Sequence, residues 1–226
     1  AIGRVLEDPP GELPVMLCYK QNGQLLSGKR GGPVRMLVPE AYGFKSVKWL
    51  QRVVLTNNHQ ANDTYAAGNN DIESPMKTFS RFINPPPKAK VGARIPLVGL
   101  AQVGVSGLSK VQVWLHPHDA EWSADDPYFA TGPWKDAEIL PPPTKWGSDL
   151  PDGKLPEIPR QFDPATSKPL RWPMRYAMAH WATMLDGAMP GKYFLSCRTI
   201  DSNGNAQPMP RPFAKSARPP TTGRRD

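Results

Sequence analysis

The chain has little cysteine, no long apolar run and no excess of acid. Only Cys18 and Cys197 occur among 226 residues. Each lies in an apolar, strand-like setting (Val15-Met16-Leu17-Cys18-Tyr19 and Tyr193-Phe194-Leu195-Ser196-Cys197), which reads as two free thiols with no spacing that supports a disulfide. The four histidines, His59, His116, His118 and His180, do not combine with the cysteines into a zinc-ligand spacing. No run of about 18 apolar residues is present, and no basic start leads into an apolar core, so neither a membrane span nor a signal peptide is expected. The first residue is Ala1 rather than Met, from which we expect that something has been removed.

Acid is outnumbered. Twenty Asp and Glu face 28 Lys and Arg, for a net charge of +8, and this balance favours anionic ligands or surfaces. The cations are scattered rather than striped, apart from Lys29-Arg30 and Arg224-Arg225, and no nucleic-acid-binding module is visible, so nucleic acid is not the expected partner.

Proline is abundant instead. The 28 prolines, clustered at Pro85-Pro86-Pro87, Pro141-Pro142-Pro143 and Pro219-Pro220, argue against long helices and for short strands joined by irregular loops. Pro85-Pro86-Pro87 reads as a stiff linker between two blocks. Beyond it the pattern turns to short strands with turn signals between them: Ala93 to Ala101, Ser109 to Leu115, Trp134 to Leu140 and Gly191 to Ile200. In Ser109 to Leu115, Val111, Val113 and Leu115 alternate with Lys110, Gln112 and Trp114, the period of a half-buried strand. Met174 to Asp186 is ambiguous between one or two helical turns, with Met174, Met178, Trp181 and Leu185 on one side, and a strand. His180 within it reads as a packed or hydrogen-bonded residue. The series as a whole predicts a β-sandwich of immunoglobulin-like type.

The densest feature is Gly31 to Leu50. Gly31-Gly32-Pro33 stops one element, Val34 to Val38 is an apolar run around Arg35, and Pro39 to Gly43 makes a second turn before Ser46-Val47-Lys48. Burying a guanidinium without an acceptor costs several kcal/mol, so Arg35 either pairs with a carboxylate of the protein or faces a bound anion.

This stretch resembles the sulfite oxidase family of molybdopterin-dependent oxidoreductases, whose cofactor domain carries a G-x-P-x-R segment followed by V-P, a Tyr-Gly turn and a spaced Lys. Gly31-Gly32-Pro33-Val34-Arg35, Val38-Pro39, Tyr42-Gly43, Lys45 and Val47-Lys48 fit it in order. Upstream, Leu13 to Leu26 is similar to a segment of that family ending in an Asn-Gly turn and a short strand, and Val53-Val54-Leu55 resembles the strand that follows. The second block resembles the family's dimerisation domain through Val98 to Ala101, Leu108 to Trp114, Trp134 to Leu140 and Gly191 to Pro208. Trp114 to Trp134 and Lys145 to Trp172 then read as loop insertions at the dimer face.

The resemblance implies an α+β, mostly β chain. Residues 1–83 would be the C-terminal portion of a molybdopterin-binding domain, 84–91 a linker, 92–213 an immunoglobulin-like dimerisation domain and 214–226 a flexible tail. It implies the molybdenum cofactor, with Arg35 at the pterin phosphate and Ser46, Val47 and Lys48 lining it, and Lys45 either contributing or solvated. The single Cys that ligates the metal in the family has no counterpart here, so the ligand is expected from outside this chain. The implied function is part of an oxidoreductase acting on a small oxo or sulfur compound; this chain alone would not be active. The alternative is a non-catalytic dimerisation protein derived from the family. Implied partners are a second copy, the N-terminal half of the cofactor domain and an electron acceptor protein, in a periplasmic or otherwise exported setting. Two departures stand out. Arg30 occupies the place of a family His five residues before Arg35, and Asn70 falls where a sulfite-pocket Tyr is expected. The substrate implied is therefore not necessarily sulfite.

Overall fold

A computed structural model describes residues 14–39, 41, 43–54, 78–104, 106–122, 124–126, 129–146, 153–154 and 161–207. His59, Asn70 and its neighbours and the C-terminal tail lie outside the described residues. The described residues form ten strands and two single-turn 3-10 helices, Gly28–Arg30 and Gly43–Lys45. The expectation of an α component is corrected to this extent: no α-helix occurs among the described residues, and no helix there is long and apolar enough to cross a membrane. The proline spacing leaves few uninterrupted stretches in which i to i−4 bonds could propagate.

The chain divides into two compact units. The first holds, among described residues, 14–19 and 25–54; the second holds 20–24 and 78–207.

In the first unit, Met16–Cys18 (β1) runs antiparallel to the apolar run around Arg35. Lys20–Gln21 (β2) and Gln24–Leu25 (β3), of which residues 20–24 belong to the second unit, flank the Asn22-Gly23 turn, where φ is 53° and 78°, a left-handed pair that Asn and Gly adopt readily. Arg35–Leu37 (β4) is the signature strand, with Met16 opposite Leu37 and Cys18 opposite Arg35. Val53 and Val54, expected in a strand, are instead exposed and outside any strand.

The second unit is a six-stranded antiparallel arrangement. Its strands are Phe79–Phe82 (β5), Ile95–Gln102 (β6), Leu108–Pro117 (β7), Lys135–Ile139 (β8), Met178–Leu185 (β9) and Tyr193–Asp201 (β10), in the order β10-β7-β8-β9-β6-β5. Strand β5, grouped by the sequence with the first block, is hydrogen-bonded to β6, Phe79 opposite Gln102. The ends of the series meet through Gln207: its Oε1 accepts from Ser80 N of β5 at 2.8 Å and from Thr199 N of β10 at 3.3 Å. Two faces of strands thereby enclose a core of Leu97, Ala101, Val111, Val113, Ala179, Trp181 and Leu185.

Met174 to Asp186 resolves as strand β9, not as helical turns. Ala179, Trp181 and Leu185 point inward while Met178, His180 and Met184 are exposed, a period of two. Trp181 is fully buried opposite Gly99, and only a residue without Cβ leaves room there for the indole. His180 is exposed rather than packed, its backbone carbonyl accepting from Leu140 N. Trp114, grouped by its alternation with the polar side of β7, is 8% exposed because Trp122, Phe129 and Trp134 of the following loop surround it at centroid distances of 4.9–5.8 Å. That loop covers the outer face of β7 as a second small apolar cluster.

Candidate functional site

The four residues singled out for cofactor binding, Arg35, Ser46, Val47 and Lys48, lie on two adjacent backbones. Strand β4 carries Arg35, and 46–50 runs beside it: Met36 N donates to Val47 O at 2.9 Å and Leu50 N to Val34 O at 2.8 Å. Ser46 Oγ accepts from Val38 N at 3.1 Å, closing the turn over Gly43–Lys45. Ser46 therefore shapes the loop, and Val47 contributes its carbonyl to the ladder while its side chain is 42% exposed.

Arg35 makes no ion pair among the described residues. Its Nη1 donates to the carbonyl of Arg30 at 3.1 Å, and its Nε is buried without a partner. The neighbouring carbonyls of the same turn are occupied too. Lys48 Nζ donates to Lys29 O at 3.0 Å and Trp49 Nε1 to Gly28 O at 2.8 Å. Three successive carbonyls at the C-terminal end of a 3-10 turn thus receive donors from the signature segment, two of them cationic, where the peptide dipoles favour positive charge.

Gly31 makes this approach feasible. Its φ of 95° caps the turn, and a Cβ there would lie 2.7 Å from Lys48 Cγ, so the Lys48 stem crosses directly over the glycine. A Cβ on Gly32 would overlap the carbonyl of Leu26.

The segment's charge is a further signal in the sequence. Between residues 14 and 54 there are seven cations, Lys20, Lys29, Arg30, Arg35, Lys45, Lys48 and Arg52, against the single acid Glu40. The net charge of the chain is concentrated in this segment. Trp49, which fixes the start of the turn, carries no such signal, since a tryptophan beside two cations reads first as packing. No group of three or more His, Cys, Asp or Glu able to hold a metal ion gathers among the described residues.

Comparison with known proteins falls on the same segment. Residues 3–64 match the family model described as the oxidoreductase molybdopterin binding domain. Among the curated relatives are enzymes of plants. Nitrate reductase (NADH) 1 of Phaseolus vulgaris is 51% identical over 43 residues, 19% of this chain. Inducible nitrate reductase (NADH) 2 of Glycine max is 44% identical over 48 residues, 21% of this chain, and nitrate reductase (NADH) 1 of Arabidopsis thaliana is 45% identical over 51 residues, 23% of it. The matched stretch is 5% of each relative's length. The N-terminal segment is thus similar to molybdopterin-binding oxidoreductase domains.

Proposed function

We propose that this chain is the C-terminal part of a sulfite-oxidase-type molybdopterin oxidoreductase, and that the turn over Gly28–Arg30 with β4 binds the phosphate of the pterin. The observation that carries this reading is Arg35, whose Nε is buried without a partner while one other nitrogen holds the backbone. An unpartnered guanidinium donor in a segment with seven cations and one acid suits a phosphate monoester, which takes a forked donor and tolerates point charges around it. Lys48 adds an ammonium held at the same turn, and Ser46 fixes the loop that carries it. When bound, the cofactor would supply two-electron oxygen-atom chemistry at its metal. What this chain supplies is anchoring and orientation. The substrate class is a small oxo or sulfur compound, and the relatives' names make nitrate one to assay beside sulfite.

The test is cofactor content. Wild-type protein, Arg35→Ala and Lys48→Ala would be purified from a molybdopterin-producing host, with pterin measured by fluorescence after release and folding by circular dichroism. We expect each variant to lose at least ten-fold in pterin per protein with an unchanged fold. Equal pterin content in the variants would overturn the assignment.

A second copy is the partner that the sheet surface supports. On the outer face of β6 and β9, Val98 (45% exposed), opposite Ala182, and Met184, opposite Pro96, form an apolar patch. Arg81 lies at one edge, opposite Leu100, and Glu138 at the other, opposite Ala182. A two-fold axis parallel to the strands would place Arg81 of each protomer over β8 of the other, two residues along from Glu138, the self-complementary arrangement of an isologous dimer. Val98→Glu should convert a dimer to a monomer in light scattering; an unchanged mass would count against this face.

A further inference from the structure

At one end of the second unit, a cavity of about 670 Å³ opens between residues 86–95 and 186–195. Its apolar lining includes Ile95, Leu115 and Leu195, side chains that pack against the core from β6, β7 and β10. Lys88, Lys90 and Lys192 also line it, and among the described residues no Asp or Glu does. None of the three lysines has an ion-pair partner among the described residues. Among the described residues, the one carboxylate paired with a lining residue is that of Asp119, 3.3 Å from His118 Nδ1.

The walls are fixed rather than draped. Gly92 N donates to Ala188 O at 3.3 Å, and Gly187 sits so close to the Gly92 and Ala93 backbone that a Cβ would overlap it. On the other side, His118 N donates to Lys192 O at 2.9 Å and Tyr193 Oη to Met189 O at 3.1 Å. A solvated group of lysines would need none of this. An apolar concavity lined by lysines, with no acid among the described lining residues, suits a ligand with an apolar body and a negative head, and its volume is within the range of about 300–1,000 Å³ usual for small-molecule sites.

We propose that this cavity binds a single-chain amphipathic anion, an alkyl carboxylate, with its chain on Ile95, Leu115 and Leu195 and its head among Lys88, Lys90 and Lys192. Lysines present point charges rather than forks, so the head group is recognised by charge and the chain by burial. The site lies in the second unit and stands independently of the cofactor reading.

Titration calorimetry of the full chain with decanoate, below its micelle concentration, tests this. Saturable binding at one per chain is expected, with 1-decanol at least ten-fold weaker. The triple variant K88Q/K90Q/K192Q, changed only at exposed positions, should lose at least ten-fold, as should V91D at the cavity rim. Absence of saturable decanoate binding, decanol binding as tightly, or a triple variant within two-fold of wild type would each overturn the proposal. So would binding to phosphatidylglycerol vesicles without binding of free decanoate, which would make the lysines a surface patch.

Discussion

Arg35 donates through Nη1 to the carbonyl of Arg30 at 3.1 Å, so the residue five places upstream serves it with a backbone oxygen and not with its side chain. This divides the guanidinium into a structural half and a half with its Nε unpartnered. A lysine at position 35 can reach one acceptor but cannot present a fork.

Arg35→Lys should therefore keep most of the stability while lowering pterin content, whereas Arg35→Ala should lose both. We expect Arg35→Ala to cost about 1 kcal/mol in urea unfolding, the net worth of one hydrogen bond, with Arg35→Lys losing less than half of that. Were Arg35 only a structural residue, the lysine variant would carry as much pterin as wild type.

Gln207 holds the two ends of the strand series together with one oxygen. Removing it leaves Ser80 N and Thr199 N without their acceptor, in a part-buried setting where each unsatisfied donor costs about 1–3 kcal/mol. Gln207→Ala should destabilise by about 2–4 kcal/mol. Hydrogen exchange at the Ser80 amide should accelerate more than at Val111 in the middle of β7. Uniform acceleration would mean that Gln207 does not act locally at the β5 and β10 junction.

Gly99→Ala tests the core from the opposite direction. The added methyl would meet the buried indole of Trp181 and the carbonyl of Arg81, backbone that cannot retreat without breaking the β5 to β6 ladder. Overpacking of this kind costs about 1–3 kcal/mol. Trp181 fluorescence should shift to the red as the ring is displaced towards solvent; an unchanged melting temperature would show that the indole finds another rotamer.

The strands of the second unit were legible where both faces were marked. Val111, Val113 and Leu115 announced β7, and the run from Tyr193 through Cys197 announced β10. Strand β9 was hidden because two of its inward positions are Ala179 and Thr183, which carry little hydropathic signal, leaving Met178, Trp181 and Leu185 to mimic a helical stripe. The site was half legible. Arg35 and Lys48 stood out as cations in an apolar setting, but their partners are the carbonyls of Lys29 and Arg30, and a backbone acceptor leaves no mark on the residue type that bears it. The role of Gln207 likewise depends on which strands end beside each other, a property of the register.

Asp201 sets a pH dependence with a defined sign. Burial of this side chain, 5% exposed, would push its carboxyl upward, but the side chain and backbone NH of Asn205, with Ser106 and Asn203, hold it below the ordinary value of 3.8. The folded state therefore binds fewer protons than the unfolded state in the window between the depressed value and 3.8. Stability is fully present above that window and is lost as pH falls through the folded value. Asn at this position keeps an acceptor for the Asn203 and Asn205 amides but has no charge to titrate. Asp201→Asn should thus cost about 1–2 kcal/mol at pH 7, and its deficit against wild type should shrink as both are unfolded at successively lower pH. A deficit that stays constant from neutral pH down to pH ~2, below the usual aspartate range, would show that the charge of Asp201 contributes nothing and that the turn needs only its shape.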